Sequence, residues 1–345
     1  SCSPSFSRNQ LVLDLCRREV QDYLIEQLSQ ILSSAPIRYV KWDMNRHHSD
    51  RYSASLLEQG RFSHAWILGL YRVLKSVTQS HSDVLFEGCA SGGNRFDLGI
   101  LCYMPQIWLS DDTDAWERCK MQTWASLGYP QSVMGCHVTA VPNHQTLRSS
   151  PFDVAAFGLL GYEMDLTQVT PVQEKAIREQ IAFYKEHRTL FQQGQLLCLM
   201  APTPEKGGAW IVVSEDKQQA AVLEMNGLLT PNSAQPPLRL QGLDPDICYQ
   251  VCVRAQGLEL SSFRSLLNHV LPVRVKGDGL LVHLADGLYQ MPCEQICYTA
   301  QGDLLMHAGI RRPQMFSGTG YNEGVRPMPD FSARIWLLTA LNSEE

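Results

Sequence analysis

The 345-residue chain contains no long apolar run and no block of basic residues. Because no stretch of about 18 apolar residues is present, the sequence offers no helix that would span a bilayer. A net charge of −6 without lysine- or arginine-rich tracts gives little attraction for phosphate backbones or anionic lipids. We therefore expect neither a nucleic acid nor a membrane as a partner.

The 11 cysteines are an odd number scattered along the chain, and no secretory signal pattern precedes them. This usage predicts reduced thiols and a cytoplasmic protein. Cys248 with Cys252 and Cys293 with Cys297 have a CxxxC spacing that could hold zinc, although CxxC is the commoner structural spacing. Buried apolar side chains in a β-domain are the alternative that we favour.

Phosphate-binding loops and metal-ligand spacings are lacking as well. Gly92 and Gly93 fit neither the GxGxxG nor the GxxxxGK[ST] pattern. Four histidines follow no ligand pattern, namely His47, His48, His137 and His144. We expect no nucleotide, no metal and no other cofactor.

The chain does contain a repeated alternation of helical and strand-like segments. In residues 17–32, apolar side chains recur at steps of three and four, which predicts one buried helix face formed by Val20, Tyr23, Leu24, Leu28 and Ile31. Further helices are predicted at 61–79, 115–126 and 173–193, and short strands at 37–42, 83–86, 106–109, 132–138 and 157–162. Polar residues follow these strands, as the active face of an α/β barrel requires, so we favour a barrel over a doubly wound sheet.

The character of the sequence changes near Gly194. Short strands such as 209–213 and 220–225 then alternate with turns rich in glycine, proline and asparagine. We predict two domains, with residues 1–194 belonging to the barrel and residues 195–345 forming a small all-β sandwich.

Acidic residues follow two of the predicted barrel strands. Asp43 ends a strand beside Lys41, where a carboxylate could attack an electrophilic carbon or simply pair with Lys41 or Arg46. Asp111 precedes two further acids, and like charges so close favour keeping one carboxyl protonated, as a general acid requires. The alternative is a helix start capped at Asp112 or Thr113.

Two carboxylates on separate strand ends of one barrel face are what glycoside cleavage requires, which makes Asp43 and Asp111 the natural pair. Trp42, Trp108 and Trp124 could offer apolar faces to a sugar ring, although aromatic residues beside strands are more often part of the core.

Four blocks of sequence carry a more specific signal: YVKWDMNR at 39–46, CASGGNRFDLG at 89–99, PQIWLSDDTDA at 105–115 and MGCHVTAVPNHQT at 134–146. Together, and in this order, they resemble family 36 glycoside hydrolases, above all bacterial α-galactosidases of the melibiose and raffinose type. The resemblance implies a retaining double displacement with Asp43 as nucleophile and Asp111 as acid/base.

The same resemblance implies the substrate-binding residues. Lys41 and Asn45 match positions that hold galactose hydroxyls, and Cys89, Gly92 and Arg95 match a CxxGxxR pattern associated with the 2-hydroxyl region. The chain departs from the usual family pattern at Asn94, where glycine or alanine is common. We expect this departure to change the subsite preference.

Family members carry a large N-terminal β-domain and three barrel strands before the point of match, so the resemblance implies that strands four to eight are present here. We expect these residues alone to form an incomplete sugar site with two unpaired sheet edges and poor solubility. The expected partner is an α-galactoside oligosaccharide, and the family implies oligomers, often tetramers. Alternatives are a galactosyltransferase similar to raffinose synthases and a non-catalytic sugar-binding fragment.

Overall fold

The computed structural model describes residues 6–46, 48–139, 150–228, 236–269, 271–277, 279–292, 295–312, 328 and 330–341. Contacts divide the chain into two compact units. The first comprises residues 1–111 with 133–135, and the second comprises residues 112–132 with 136–345.

Five strands form one sheet in the order in which they follow one another along the chain: β1 (Tyr39–Asp43), β2 (Leu85–Cys89), β3 (Gln106–Trp108), β4 (Met134–Thr139) and β5 (Leu159–Glu163). β1 pairs with β2 in parallel, β2 with β3, and β3 with β4. All five predicted strands are present. Since the carboxyl ends of parallel strands meet at one edge, residues that follow β1, β2 and β3 are brought together.

The first unit is built from two helices packed on these strands. Helices α1 (Arg18–Ser34) and α2 (Phe62–Ser80) contact each other, and a single turn of 3₁₀ helix, Gln59–Arg61, leads into α2. The short helix α3 (Leu98–Leu101) follows β2. Their apolar side chains form one buried cluster with those of the strands: Leu15, Leu32, Phe62, Trp66, Leu70, Val73, Leu74, Val77, Val84, Phe86, Ile100, Met104 and Ile107. Each such side chain stabilises the fold by about 1.5–3 kcal/mol relative to exposure.

The apolar face predicted for α1 is narrower than the spacing implied. Val20, Leu24 and Leu28 pack against the core, but Tyr23 and Ile31 remain 58% and 56% exposed. The spacing correctly identified the helix, yet the width of the buried stripe depends on what packs against it. In the described part of the chain, no helix is both long and apolar enough to cross a membrane.

The second unit contains helices α4 (Ala115–Ala125), α5 (Ser150–Ala155) and α6 (Pro171–Gln193), together with 3₁₀ turns at Gln131–Val133 and Leu166–Gln168. The start of α6 is set by a capping box, in which Thr170 accepts from the backbone of Gln173 and the Gln173 side chain accepts from the backbone of Thr170. Pro171 stands at the first helical position, where its missing N–H costs nothing.

The rest of this unit is an antiparallel sheet. Its strands are β6 (Gln195–Thr203), β7 (Gly207–Val213), β8 (Gln219–Met225), β9 (Cys248–Val253), β12 (Cys297–Gln301) and β13 (Ala333–Ala340), in the spatial order β12-β9-β13-β8-β7-β6. Smaller elements lie between β9 and β13: the paired strands β10 (Gly257–Leu258) and β11 (Met291–Pro292), a 3₁₀ segment Leu260–His269, and helices α7 (Leu280–Asp286) and α8 (Gly302–His307).

Helices and extended chain cover both faces of the six-stranded sheet in the described residues. On one face, Leu305 of α8 packs with Leu238, Leu240 and Leu243 against the strands. On the other face, α6 contacts β7 and β8, and the buried Trp210 donates from Nε1 to the hydroxyl of Thr123 on α4 at 2.7 Å. Strand spacing predicted a small sandwich; the described residues contain this six-stranded sheet and a two-stranded one, and the sandwich stays a prediction.

One cysteine pair departs from the prediction of reduced thiols. Cys252 and Cys297 form a disulfide, whereas Cys248 is free. The antiparallel pairing of β9 and β12 places Cys252 directly opposite Cys297 with a Cα separation of 4.1 Å, so the contact is between strands and not within a CxxxC pair. Cys293 lies outside the described residues.

Candidate active site

All seven predicted site residues belong to the first unit. Lys41, Asp43 and Asn45 lie on and just after β1, Cys89 ends β2, Gly92 and Arg95 follow it, and Asp111 follows β3. These positions cluster at the carboxyl edge of three neighbouring parallel strands. The parallel sheet therefore gathers residues that are up to 70 positions apart in sequence.

Asp43 is exposed at the end of β1 and is held by polar neighbours. Asn45 donates from its amide nitrogen to Oδ2 of Asp43. The other end of that amide accepts from the backbone N–H of Ser91 at 2.8 Å and from its hydroxyl at 3.0 Å. Asn45 thus ties the Asp43 carboxylate to the loop after β2 in a fixed orientation.

Cys89 lies opposite Asp43 in the strand register. Burial, together with the adjacent Asp43 carboxylate, raises the pKa of the Cys89 thiol to about 11. The thiol therefore stays neutral at physiological pH and serves as a hydrogen-bond donor to Asp43. Cys89 is thus buried and also contacts the candidate nucleophile.

Arg95 fastens the ends of two strands to each other. Its Nη2 donates to the carbonyl oxygens of Trp42 at 3.0 Å and Cys89 at 2.5 Å. Burial lowers the pKa of Arg95, and the nearby Asp43 carboxylate opposes that change. This guanidinium has a structural task that the sequence did not reveal, in addition to any contact with substrate.

The loop after β2 makes a tight turn against the chain that leads to Asp111. Ser91 and Gly92 adopt φ values of +51° and +81°, and the N–H of Gly93 donates to the carbonyl of Leu109 at 2.9 Å. A Cβ at position 92 would lie 2.7 Å from that carbonyl oxygen and 2.9 Å from the Cα of Ser110. Only glycine fits this position, because both the backbone angle and the space exclude a side chain.

We accordingly expect Gly92→Ala to destabilise the protein by about 1–3 kcal/mol, since the added methyl group requires both a strained backbone and displacement of residues 109 and 110. Urea unfolding measures the loss. Gly60→Ala is the matched control, because its Cβ would meet nothing within 4 Å. Equal losses for the two variants would contradict the packing described here.

Asp111 is exposed and accepts a hydrogen bond at Oδ1 from the indole N–H of Trp108 at 2.9 Å. The residue that caps the start of α4 is Asp114. Its carboxylate accepts hydrogen bonds from the backbone N–H groups of Trp116 and Glu117. The helix start that the alternative described is therefore present, but its cap is Asp114 and not Asp112 or Thr113, and Asp111 lies outside the cap.

The three tryptophans considered for sugar stacking lie in different surroundings. Trp108 is only 2% exposed, and the face of its ring meets the ammonium of Lys41 at 4.4 Å. Trp42 packs against the core of the first unit, and Trp124 lies on α4 in the second unit, 58% exposed. Trp108 thus links Lys41 on β1 with Asp111 after β3, a role that spacing alone does not indicate.

The histidines do not form a metal site in the part of the chain that the structure describes. No group of three or more His, Cys, Asp or Glu side chains there is arranged to hold an ion. His48 packs edge-on against Trp66 with 4.2 Å between ring centres, and burial lowers its pKa. His137 lies 3.1 Å from a carboxylate oxygen of Glu163. His47 and His144 lie outside the described residues.

Comparison with known protein families identifies the family of the chain. Residues 1–194 match the model of the Melibiase family, and residues 208–338 match that of the glycosyl hydrolase family 36 C-terminal domain. Among curated proteins, the chain is 46% identical over 253 residues to α-galactosidase AgaA of Geobacillus stearothermophilus and 45% identical over 257 residues to α-galactosidase 1 of Pediococcus pentosaceus. Each match covers 72% of this chain and 35% of the relative.

Solved structures give the same assignment over nearly the whole chain. The crystal structure of the GH36 α-galactosidase AgaA superposes with a TM-score of 0.79 and 37% identity, covering 99% of this chain and 40% of that one. The α-galactosidase from Lactobacillus brevis superposes with a TM-score of 0.79 and 36% identity, covering 100% of this chain and 41% of that one. The chain therefore belongs to the melibiase family and includes the C-terminal domain of glycosyl hydrolase family 36.

Proposed function

We propose that this chain carries the two catalytic carboxylates of a retaining α-galactosidase, with Asp43 as nucleophile and Asp111 as general acid/base. The observation that carries the proposal is their placement at the end of β1 and after β3 of one parallel sheet, where each carboxylate accepts a hydrogen bond from a side-chain N–H group at the same edge. The curated relatives are α-galactosidases, but the chain spans only about 35% of their length, so the activity of the whole protein is inferred.

The chemistry follows from two carboxylates with different tasks. A carboxylate oxygen of Asp43 attacks the anomeric carbon of galactose while the protonated Asp111 gives its proton to the departing glycosidic oxygen. Asp111, now ionised, takes a proton from a water molecule, whose oxygen attacks the same carbon and breaks its bond to Asp43. Two inversions return galactose with its original anomeric configuration.

The remaining predicted residues complete the pocket in this proposal. Lys41 and Asn45 bind galactose hydroxyls, and Cys89, Gly92 and Arg95 surround the 2-hydroxyl. The substrates are α-galactosides of the melibiose and raffinose type, in keeping with solved complexes of variants of the relative AgaA with raffinose and with stachyose. The tetramer that the resemblance implies stays a prediction.

We also propose that β1 to β5 are the last five strands of an eight-stranded barrel and that the barrel ends near Gly194. The first family match ends at residue 194 and the second begins at residue 208, which supports this boundary. The capped end of α6 at Gly194, followed at once by the antiparallel strand β6, supports it as well.

Covalent trapping tests the proposed function. The natural full-length polypeptide is incubated with a slow-turnover fluorinated galactosyl donor, digested and analysed by mass spectrometry. We expect one galactosyl adduct on the peptide that contains Asp43 and none on that peptide from Asp43→Ala. The corresponding glucosyl donor, which differs in configuration at one hydroxyl, is the control. Absence of any adduct would favour a non-catalytic sugar-binding role.

A further inference from the structure

A buried glutamate lies directly beneath the candidate site. β2 was predicted to end at residue 86, but it continues to Cys89, so Glu87 stands within the strand and is completely buried. In the strand register Glu87 lies between Lys41 on β1 and Gln106 on β3. A carboxylate buried in such a place lowers the stability of the fold unless other groups compensate its charge and donate hydrogen bonds to its oxygens.

One carboxylate oxygen of Glu87 accepts two hydrogen bonds. Oε2 accepts from the hydroxyl of Tyr39 and from the amide of Gln106, the latter at 2.6 Å. The same amide lies 3.2 Å from the Tyr39 hydroxyl, so the three side chains form a closed triangle. Burial and the Glu87 charge raise the pKa of Tyr39, which keeps the phenol a neutral donor. The triangle fixes the position of the carboxylate.

The other oxygen faces the site. Oε1 is buried without a hydrogen-bond partner and lies 3.7 Å from the ammonium of Lys41. At that distance the two charges attract each other, but the separation is longer than a directional hydrogen bond. The N–H groups of Lys41 therefore remain available to other acceptors. The indole face of Trp108 lies against the ammonium at 4.4 Å. Lys41 is thus held between an anion and an aromatic face with about a third of its side chain exposed.

We propose that Glu87 is a positioning residue for Lys41. It holds the Lys41 ammonium at the place where a hydroxyl of the galactose ring binds. Tyr39 and Gln106 hold Glu87 in turn. This inference rests on the proposed function, because it names the residue that orients one of its binding groups. Glu87 does not touch the sugar and acts only through Lys41.

The test uses Glu87→Gln in the natural full-length polypeptide. Glutamine keeps the shape and removes the charge, so we expect KM for an aryl α-galactoside to rise about tenfold while kcat changes by less than about threefold, the signature of lost binding that is common to ground and transition states. Glu87→Asp, which keeps the charge, is expected to recover part of the loss. Asp153→Asn is the matched control, since it removes another completely buried carboxylate, one paired with Arg254.

A double-mutant cycle with Lys41→Met separates positioning from a structural role. If Glu87 acts through Lys41, the double variant binds substrate no more weakly than Lys41→Met alone. Additive losses in the double variant would overturn the inference, and so would a KM for Glu87→Gln equal to that of Asp153→Asn. The proposed function would still stand in either case if the wild-type protein hydrolyses the α-galactoside.

A crystal structure of Glu87→Gln gives a readout that needs no activity. We expect the Lys41 ammonium to leave the face of Trp108. An unmoved ammonium would refute the positioning role whatever the activity. A wild-type protein inactive on α-galactosides would refute the proposed function and with it the sugar-binding purpose of Lys41, while a displaced ammonium would still show that Glu87 positions it.

Discussion

Replacing Asp43 with alanine is expected to lower kcat on an α-galactoside by on the order of 10⁴-fold or more, because in the proposed mechanism the covalent step then loses its nucleophile. The protein should stay folded, since Asp43 is exposed and its carboxylate is not part of the core. Steady-state kinetics of the full-length polypeptide and thermal unfolding measure the two quantities. Asp83→Ala, which removes another exposed carboxylate, is the control and should change kcat little.

Chemical rescue makes this prediction specific to the nucleophile. If Asp43 is the nucleophile, the space left by Asp43→Ala faces the anomeric carbon from the side opposite the leaving group, so added azide should attack there and yield β-galactosyl azide. Rescue with this stereochemistry assigns the role to Asp43. Wild-type rates for the variant without azide would remove Asp43 from the mechanism.

The Asp111→Asn variant is expected to lose about 10²–10⁴-fold in kcat on raffinose, since an amide cannot protonate the departing sugar. In kcat/KM, which reports the step that forms the galactosyl intermediate, the loss should be much smaller on a dinitrophenyl galactoside, whose leaving group needs no proton. Comparing the two substrates in the same variant cancels any general effect on folding. Asp112→Asn is the neighbouring control, and a substrate-independent loss in Asp111→Asn would contradict an acid role.

Much of the fold could be predicted from the sequence because helix and strand periodicities are local. The helices α1, α2, α4 and α6 and the five parallel strands lie where spacing predicted them, and the placement of Asp43 and Asp111 at strand ends followed from them. Four short sequence blocks then identified the family, which the comparisons confirm.

The details that failed depend on contacts between distant residues or on local backbone angles, neither of which periodicity shows. Glu87 seemed to be a polar strand end, and its burial becomes clear only once Tyr39 and Gln106, 48 and 19 residues away, are known to bond it. The helix cap fell on Asp114 because the backbone there, with φ of −55° and ψ of 133°, directs its carboxylate at the first free N–H groups. A cluster of acids alone does not determine which of them caps.

Asn94 illustrates how a fixed turn permits variation. Its neighbours are fastened on both sides: Gly93 donates to the carbonyl of Leu109, and Arg95 donates to the ends of β1 and β2. Asn94 itself is exposed, so its side chain can change without moving either anchor. Position 94 is accordingly a suitable place for saturation mutagenesis, where variants could be screened for altered sugar preference at little risk to folding.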